Sequence, residues 1–146
     1  MIPGNLILVR GVPGAGKTSL ATTLCDAIDD YVDNHVISAD DYFYQGEEYK
    51  FDPSKLKEAH SSCLERTRRF LERARDFPSK MGKPAVLFVA NTFTREWEME
   101  QYFELAREFD WRVHTIVVEN RHESHNVHGV PDAKVKEMMA RFEIKL

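Results

Sequence analysis

The chain has 146 residues, of which 42% are hydrophobic and 30% charged, and its formal net charge is −4. These values are typical of a globular protein with a genuine core, and the length predicts a single domain over residues 1–146. The acidic balance argues against a surface coated for duplex nucleic acid but leaves room for a local basic groove. No apolar run approaches about 18 residues, so the sequence predicts no membrane-spanning helix.

Two features of the sequence bear on the cellular compartment. Met1 to Gly4 leads directly into an apolar segment and leaves no room for a secretory signal, so we expect a cytoplasmic protein. Cys25 and Cys63 lie far apart in predicted helices, and neither belongs to a C-x-x-C pair. We therefore expect both thiols to be reduced and buried.

The first predicted strand, Leu6–Val9, runs straight into a glycine-rich segment that fits G-x-x-x-x-G-K-[ST] without mismatch. The matching residues are Gly11, Val12, Pro13, Gly14, Ala15, Gly16, Lys17 and Thr18, and Ser19 continues them into an amphipathic helix. Such a loop turns its N–H groups toward phosphate oxygens, and the helix N-terminus adds the positive end of its dipole. Lys17 is expected to reach the β- and γ-phosphates and Thr18 to bind Mg²⁺. This pattern predicts a site for ATP, and a chance glycine-rich turn is the alternative.

Apolar blocks of strand and helix character alternate along the rest of the chain. Strands are predicted at 35–38, 85–90 and 113–118, and helices at 52–77, 95–109 and 132–143. The long helix begins at Asp52-Pro53, an N-cap carboxylate followed by proline, and its less polar stripe comprises Leu56, His60, Cys63, Thr67, Phe70, Ala74 and Phe77. The last helix is expected to bury Val135, Met138, Met139 and Phe142. The alternation predicts a parallel, three-layer α/β fold.

In such folds, ligands bind beyond the carboxyl ends of the strands, so the residues that follow the strands are the candidates for a common site. Asp40 follows the second strand and could accept a proton from a substrate hydroxyl or hold Mg²⁺ through water. Alternatively, Asp40 and Asp41 cap the next turn, and Asp41 is the better candidate for that role. Asn91 follows the third strand and Arg121 the fourth.

The region before the last helix is polar and contains Arg121 with three histidines, His122, His125 and His128. Arg121 could close over the phosphates, or it could be a solvated loop residue. The histidines lack cysteine or carboxylate partners at a zinc spacing, so they are interpreted as loop residues rather than metal ligands. The aromatic segment 42–51 could stack a nucleobase or pack as a flap on the core.

Together these motifs resemble the P-loop kinases similar to the kinase domain of phage polynucleotide 5′-hydroxyl kinase, and related ATP-binding modules of larger eukaryotic proteins. The resemblance rests on residues 10–18, 38–43, 89–92, 97–98, 111–113 and 128–131. It implies a kinase-type P-loop fold with a sheet ordered 2-3-1-4, ATP as phosphoryl donor, and a lid at 120–129 that carries a catalytic arginine. It also implies that Asp40 is the general base, and that Lys17 and Thr18 contact phosphate and Mg²⁺.

The sequence departs from that pattern at three positions. His125 stands where the family often has an arginine, and Arg121 lies nearby as a substitute. Asn91 stands where the phage enzyme has an acidic residue, and Ala39 where an arginine is common. Three hypotheses follow: a kinase acting on a hydroxyl such as the 5′ end of single-stranded DNA or RNA, a kinase for a small metabolite or nucleoside, and an ATP-binding regulatory module without transfer activity.

Overall fold

The computed structural model describes residues 3–122 and 128–146. Its strands are β1 (Asn5–Arg10), β2 (Asp33–Ile37), β3 (Tyr44–Gln45), β4 (Glu48–Tyr49), β5 (Ala85–Asn91) and β6 (Arg112–Val117). Its α-helices are α1 (Lys17–Ile28), α2 (Leu56–Asp76), α3 (Glu96–Glu108) and α4 (Asp132–Arg141), and the 3-10 helices are Ala39–Phe43 and Pro53–Lys55. Strands β2, β5, β1 and β6 form a parallel sheet in that order, which confirms the predicted order 2-3-1-4 of the four main strands.

Alternating side chains on the central strands build a core on each face of the sheet, as three layers require. On β1, Leu6 and Leu8 face the core that contains buried residues of α2 and α3, whereas Val9 faces the core beneath α1. On β5, Leu87 joins the first core and Phe88 the second. The continuous apolar run at 85–90 is therefore explained by burial on both faces of an interior strand.

Helix α2 departs from its predicted stripe at both ends. Asp52 accepts a hydrogen bond from the Ser54 N–H (3.0 Å), as the predicted cap requires, but a 3-10 turn precedes the α-helix. Leu56 is 42% exposed and Phe77 is 78% exposed. Phe77 lies past the last helical turn, where the backbone has left the helical conformation and the side chain no longer follows the buried face. Ala59 and Leu71 belong to the buried face instead, beside Cys63, Thr67 and Phe70.

Helix α4 was predicted to bury an apolar stripe, and that prediction is wrong. No residue of α4 is fully buried, and Met139 is 60% exposed. Val135 and Met138 are only half-buried. The physical reason is that the stripe faces a cavity, described below, rather than the packed sheet.

Three further expectations concern the thiols, a membrane-spanning helix and the aromatic segment. Cys63 is buried and Cys25 only partly so; both are free thiols. None of the helices in the described ranges is long and apolar enough to cross a membrane. The aromatic segment, predicted as a loop, contains the short antiparallel pair β3–β4, and its Phe43 packs in the core as the flap alternative required.

Candidate active site

The loop between β1 and α1 has the backbone shape that a phosphate cradle needs. Gly14 (φ 87°) and Gly16 (φ 92°) adopt left-handed conformations that side chains beyond glycine rarely tolerate. The Ala15 N–H donates to the Val12 carbonyl oxygen (3.1 Å), which holds the loop closed on itself. Gly16 caps α1 and supplies no side chain to its first N–H groups, so these donors are directed at an incoming anion.

Lys17 lies across this loop with its ammonium group largely withdrawn from water. Its Nζ donates to the Val12 carbonyl oxygen at 3.1 Å. Burial lowers the pKa of Lys17 to about 8, and the nearby negative charge of Asp40 partly opposes that shift. The P-loop lysine and the carboxylate after β2 are therefore close enough for their charges to interact at the carboxyl edge of the sheet. Thr18 and Ser19 are exposed at the same edge of the sheet.

The turn that carries Asp40 is fixed by its neighbours rather than by Asp40 itself. Ser38 caps the 3-10 helix: its Oγ accepts from the Asp40 N–H (3.2 Å), and the Asp41 carboxylate accepts from the Ser38 N–H (2.9 Å). Arg66 of α2 donates to both the Asp41 carboxylate (3.0 Å) and the Ser38 carbonyl (2.8 Å). Asp41 thus completes the capping box that begins at Ser38, which agrees with its predicted role in the turn, and its carboxylate is bound there while that of Asp40 is not.

Asn91 supports the same turn from behind. Its Oδ1 accepts from the Ala39 N–H at 2.9 Å and lies 3.5 Å from the Ser38 hydroxyl, and its Nδ2 donates to the Cys63 Sγ at 3.6 Å. Asn91 is only 6% exposed. Burial also raises the pKa of the Cys63 thiol, which keeps it protonated. Asn91, which stands where the phage enzyme has an acidic residue, therefore supports the Asp40 turn from inside the protein.

Two residues that the sequence did not single out for the site contact Asp40. The Tyr49 hydroxyl donates to Asp40 Oδ1 at 3.2 Å, and His128 Nε2 lies 3.5 Å from Oδ2. The two aromatic rings are 4.5 Å apart at their centroids. Burial, followed by the Asp40 charge, raises the pKa of Tyr49, so the phenol remains a donor. In the sequence, Tyr49 belongs to the aromatic segment and His128 begins the His-Gly-Val-Pro motif at 128–131. Neither pattern predicts a contact with Asp40.

The predicted lid contributes less than expected in the described residues. Arg121 is highly exposed and pairs with Glu119 at 2.8 Å, so it does not reach toward Lys17 in this conformation. His125, proposed from the resemblance, lies outside the described residues. Catalytic roles for both residues remain predictions.

The donor atoms at this edge suit a hard cation. The exposed Thr18 hydroxyl and the Asp40 carboxylate are oxygen ligands, and Mg²⁺ completes its shell with phosphates and water rather than with a full protein cage. Within the described ranges there is no cluster of three or more His, Cys, Asp or Glu side chains that would hold a transition metal. The residues present fit the Mg²⁺ that the P-loop motif implies.

A cavity of about 670 Å³ opens beside the loop, away from Asp40. One wall is the loop itself, Gly11–Pro13, and the second is the end of β6 with residues 117–121. The third wall comes from α4 and the segment after it and is mostly apolar; its residues are Val135, Met139, Phe142 and Ile144, with Asp132 at the start of α4. The volume and apolar lining are those of a pocket for a planar organic group.

The parallel sheet, the glycine loop at the end of β1 and the adjacent carboxylate define an α/β P-loop NTPase fold of the kinase-like type. The sequence matches the AAA domain family over residues 6–144. The chain belongs to this family.

Known proteins agree on the fold. Human NEDD4-binding protein 2 is 32% identical over 149 residues, a match that covers 94% of this chain and 8% of that protein. The chain therefore spans a small part of that curated relative. A structure of Chaetomium thermophilum Kti12 with ADP-AlF3 is similar with a TM-score of 0.63 and 16% identity, covering 95% of this chain and 80% of that one.

Two further structures are similar at comparable levels. The Pnkp1/Rnl/Hen1 RNA repair complex contains a chain with a TM-score of 0.62 and 12% identity, covering 97% of this chain and 45% of that one. A gluconokinase from Sinorhizobium meliloti 1021 has a TM-score of 0.57 and 16% identity, and the match covers 97% of this chain and 76% of that one. These likenesses support the P-loop kinase fold and leave the phosphoryl acceptor open.

Proposed function

We propose that this chain is an ATP-dependent kinase that transfers the γ-phosphoryl group to a hydroxyl group. The observation that carries the proposal is the proximity of Lys17 and Asp40: the charge of the carboxylate after β2 acts on a partly buried ammonium group of the phosphate loop, which Val12 holds by a 3.1 Å hydrogen bond. A triphosphate held by the loop would present its terminal phosphorus toward that carboxylate. The Kti12 structure with ADP-AlF3 and the gluconokinase structure, both similar in fold, support this proposal.

The chemistry assigned to each residue balances. Asp40 accepts the proton of the acceptor hydroxyl while the oxygen forms a bond to the γ-phosphorus, and the bond to the bridging oxygen of ADP breaks. Lys17 and the N–H groups of Gly14, Gly16 and the first turn of α1 stabilise the charge on the phosphate oxygens. Thr18 and Asp40 are the residues that would hold Mg²⁺, which would supply further charge neutralisation.

The acceptor is proposed to enter beside the aromatic segment. A groove of about 450 Å³ adjoins the Asp40 turn; its lining includes the aromatic residues Tyr42 and Phe51 and the basic residues Lys50 and Lys55, together with one carboxylate, Asp52. Aromatic faces stack bases, and lysines neutralise phosphates, so the groove suits the 5′ end of single-stranded DNA or RNA. A chain in an RNA repair complex with the same fold is compatible with this acceptor.

Small hydroxyl compounds are the second candidate acceptor. Ala39, which precedes Asp40, is buried and contributes no cation to the acceptor side. With a net charge of −4, the chain also lacks the general attraction for polyanions that many nucleic-acid enzymes have. A small neutral alcohol needs neither feature.

The test measures phosphoryl transfer from labelled ATP with Mg²⁺ to a 5′-hydroxyl oligonucleotide and, separately, to nucleosides and sugars. The wild type is compared with Asp40→Asn and with Asp41→Asn as the matched control, since Asp41 caps the turn without facing the site. Asp40→Asn should reduce turnover by roughly 10²–10⁴-fold, the usual contribution of a positioned base, with little change in ATP affinity. Asp41→Asn should keep most of the activity.

The results separate the hypotheses. Label in the oligonucleotide alone supports the polynucleotide version, and label only in a small alcohol supports the metabolite version. ATP binding without transfer to any acceptor would leave the regulatory module as the remaining explanation. Equal activities of Asp40→Asn and the wild type would refute Asp40 as the base.

A further inference from the structure

Arg10, the last residue of β1, is a buried cation outside the proposed chemistry. It is only 3% exposed. Its Nε donates to the Phe93 carbonyl oxygen at 3.0 Å, and one terminal nitrogen donates to the Glu143 carbonyl oxygen at 2.6 Å. The guanidinium also stacks on the Phe142 ring, 4.8 Å from its centroid. Because a guanidinium stays charged in proteins, these contacts must offset its desolvation.

The chain after α4 is fastened to the turn between β5 and α3 by further hydrogen bonds. The Glu143 N–H donates to the Thr94 carbonyl oxygen at 2.6 Å. The Glu143 carboxylate accepts from the Glu96 N–H (2.9 Å) and from Arg95 (3.2 Å). Arg141 Nε donates to the Thr94 hydroxyl at 3.1 Å. Residues 141–143 are therefore held in place even though α4 itself is poorly buried.

This attachment determines one wall of the cavity beside the phosphate loop. Phe142 and Ile144 line the cavity on one side, and Gly11 begins the loop on the opposite side. Arg10 immediately precedes Gly11 and holds residues 142–143 through its side chain. One residue thus connects both walls, and a change in its length or charge would alter the width of the cavity.

We propose that Arg10 is a positioning residue that sets the cavity wall formed by residues 142–144, so that the cavity receives the nucleoside part of the nucleotide whose phosphates lie on the loop. This inference rests on the proposed ATP binding, and it assigns nucleoside affinity to a residue that does not itself line the cavity. The loop N–H groups and Lys17 would bind the phosphates regardless of that wall. Substitution of Arg10 should therefore weaken the binding of the nucleoside part and leave the binding of the phosphates nearly unchanged.

The experiment compares dissociation constants for ATP and for inorganic triphosphate, each with Mg²⁺, by calorimetry. Arg10→Gln keeps a planar donor but loses the charge and the second hydrogen bond. It should weaken ATP binding by about tenfold or more, the equivalent of one charged hydrogen bond, and change triphosphate binding by less than about twofold. Arg95→Gln is the matched control, because Arg95 pairs with Glu143 from the partly exposed side and should change either constant by less than about twofold.

A purely structural role would not change the ratio of the two constants. Equal weakening of ATP and triphosphate by Arg10→Gln, or no weakening of ATP, would overturn the inference. If Arg10→Gln fails to fold by circular dichroism, Phe142→Ala decides by the same ratio, since it leaves the β1 terminus intact. A wild type that binds ATP no more tightly than triphosphate refutes the inference alone, whereas a wild type that does not bind ATP refutes the proposed function as well.

Discussion

Removing the Lys17 ammonium group should stabilise the protein in the absence of nucleotide. Burial lowers the pKa of Lys17 from 10.5 to about 8. At about 1.4 kcal/mol per pKa unit, the folded state disfavours the charged lysine by about 3 kcal/mol at neutral pH. Lys17→Met removes this penalty and loses the hydrogen bond to the Val12 carbonyl oxygen, worth about 1 kcal/mol. The expected net gain at pH 7 is about 2 kcal/mol.

The pH dependence provides the sharper measurement. Between pH 8 and 10.5 the unfolded chain binds more protons at this lysine than the folded chain does, so its contribution to stability rises with pH. The advantage of Lys17→Met should therefore shrink to about 1 kcal/mol at pH 9. Urea unfolding at pH 7, 8 and 9 measures both values, with Lys57→Met as the control, because Lys57 is exposed on α2.

Two results would refute this reasoning. One is a Lys17→Met protein no more stable than the wild type at pH 7. The other is a stability gain that does not change between pH 7 and pH 9, since that would show that the gain has no link to protonation. The Lys57→Met control should lie within about 0.5 kcal/mol of the wild type throughout, as surface substitutions usually do.

Two other substitutions test the support of the site. Asn91→Ala leaves the buried Ala39 N–H without its acceptor and should lower the free energy of unfolding in urea by about 1–3 kcal/mol. Asp41→Asn, at a partly exposed ion pair, should lower it by less than about 1 kcal/mol. Equal losses of stability in the two variants would contradict the assigned roles. Gly16→Ala forces a side chain into φ 92° without a steric clash and should cost roughly 1 kcal/mol or more; an unchanged denaturation midpoint would show that the loop tolerates the strain.

The fold was largely predictable because its signals are local. The apolar run at 85–90 indicated an interior strand, and the glycine pattern with Lys17 indicated a phosphate loop between a strand and a helix. The rule that ligands bind at the carboxyl ends of parallel strands then predicts that Asp40 lies on the same side of the sheet as that loop. Each of these inferences uses residues adjacent in sequence or a general property of parallel sheets.

The features that the sequence did not predict have a different physical origin, because each depends on contacts between residues far apart in sequence. His128 reaches Asp40 across 88 positions of sequence, and Asn91 turns inward because Ala39 needs an acceptor. The apolar residues of α4 indicated burial, yet Met139 faces a cavity, and periodicity cannot distinguish a packed core from a pocket wall. Only three-dimensional packing resolves such ambiguities.

The hydrogen bond from Tyr49 to Asp40 has a consequence for side reactions. The bond lowers the basicity of Oδ1, so if Asp40 is the base, a hydroxyl transfers its proton there most readily once it has replaced the phenol. A well-positioned alcohol regains that hydrogen bond and adds its own binding contacts, whereas a water molecule offers little beyond an equal exchange. The arrangement would therefore slow wasteful hydrolysis of ATP while no acceptor is bound.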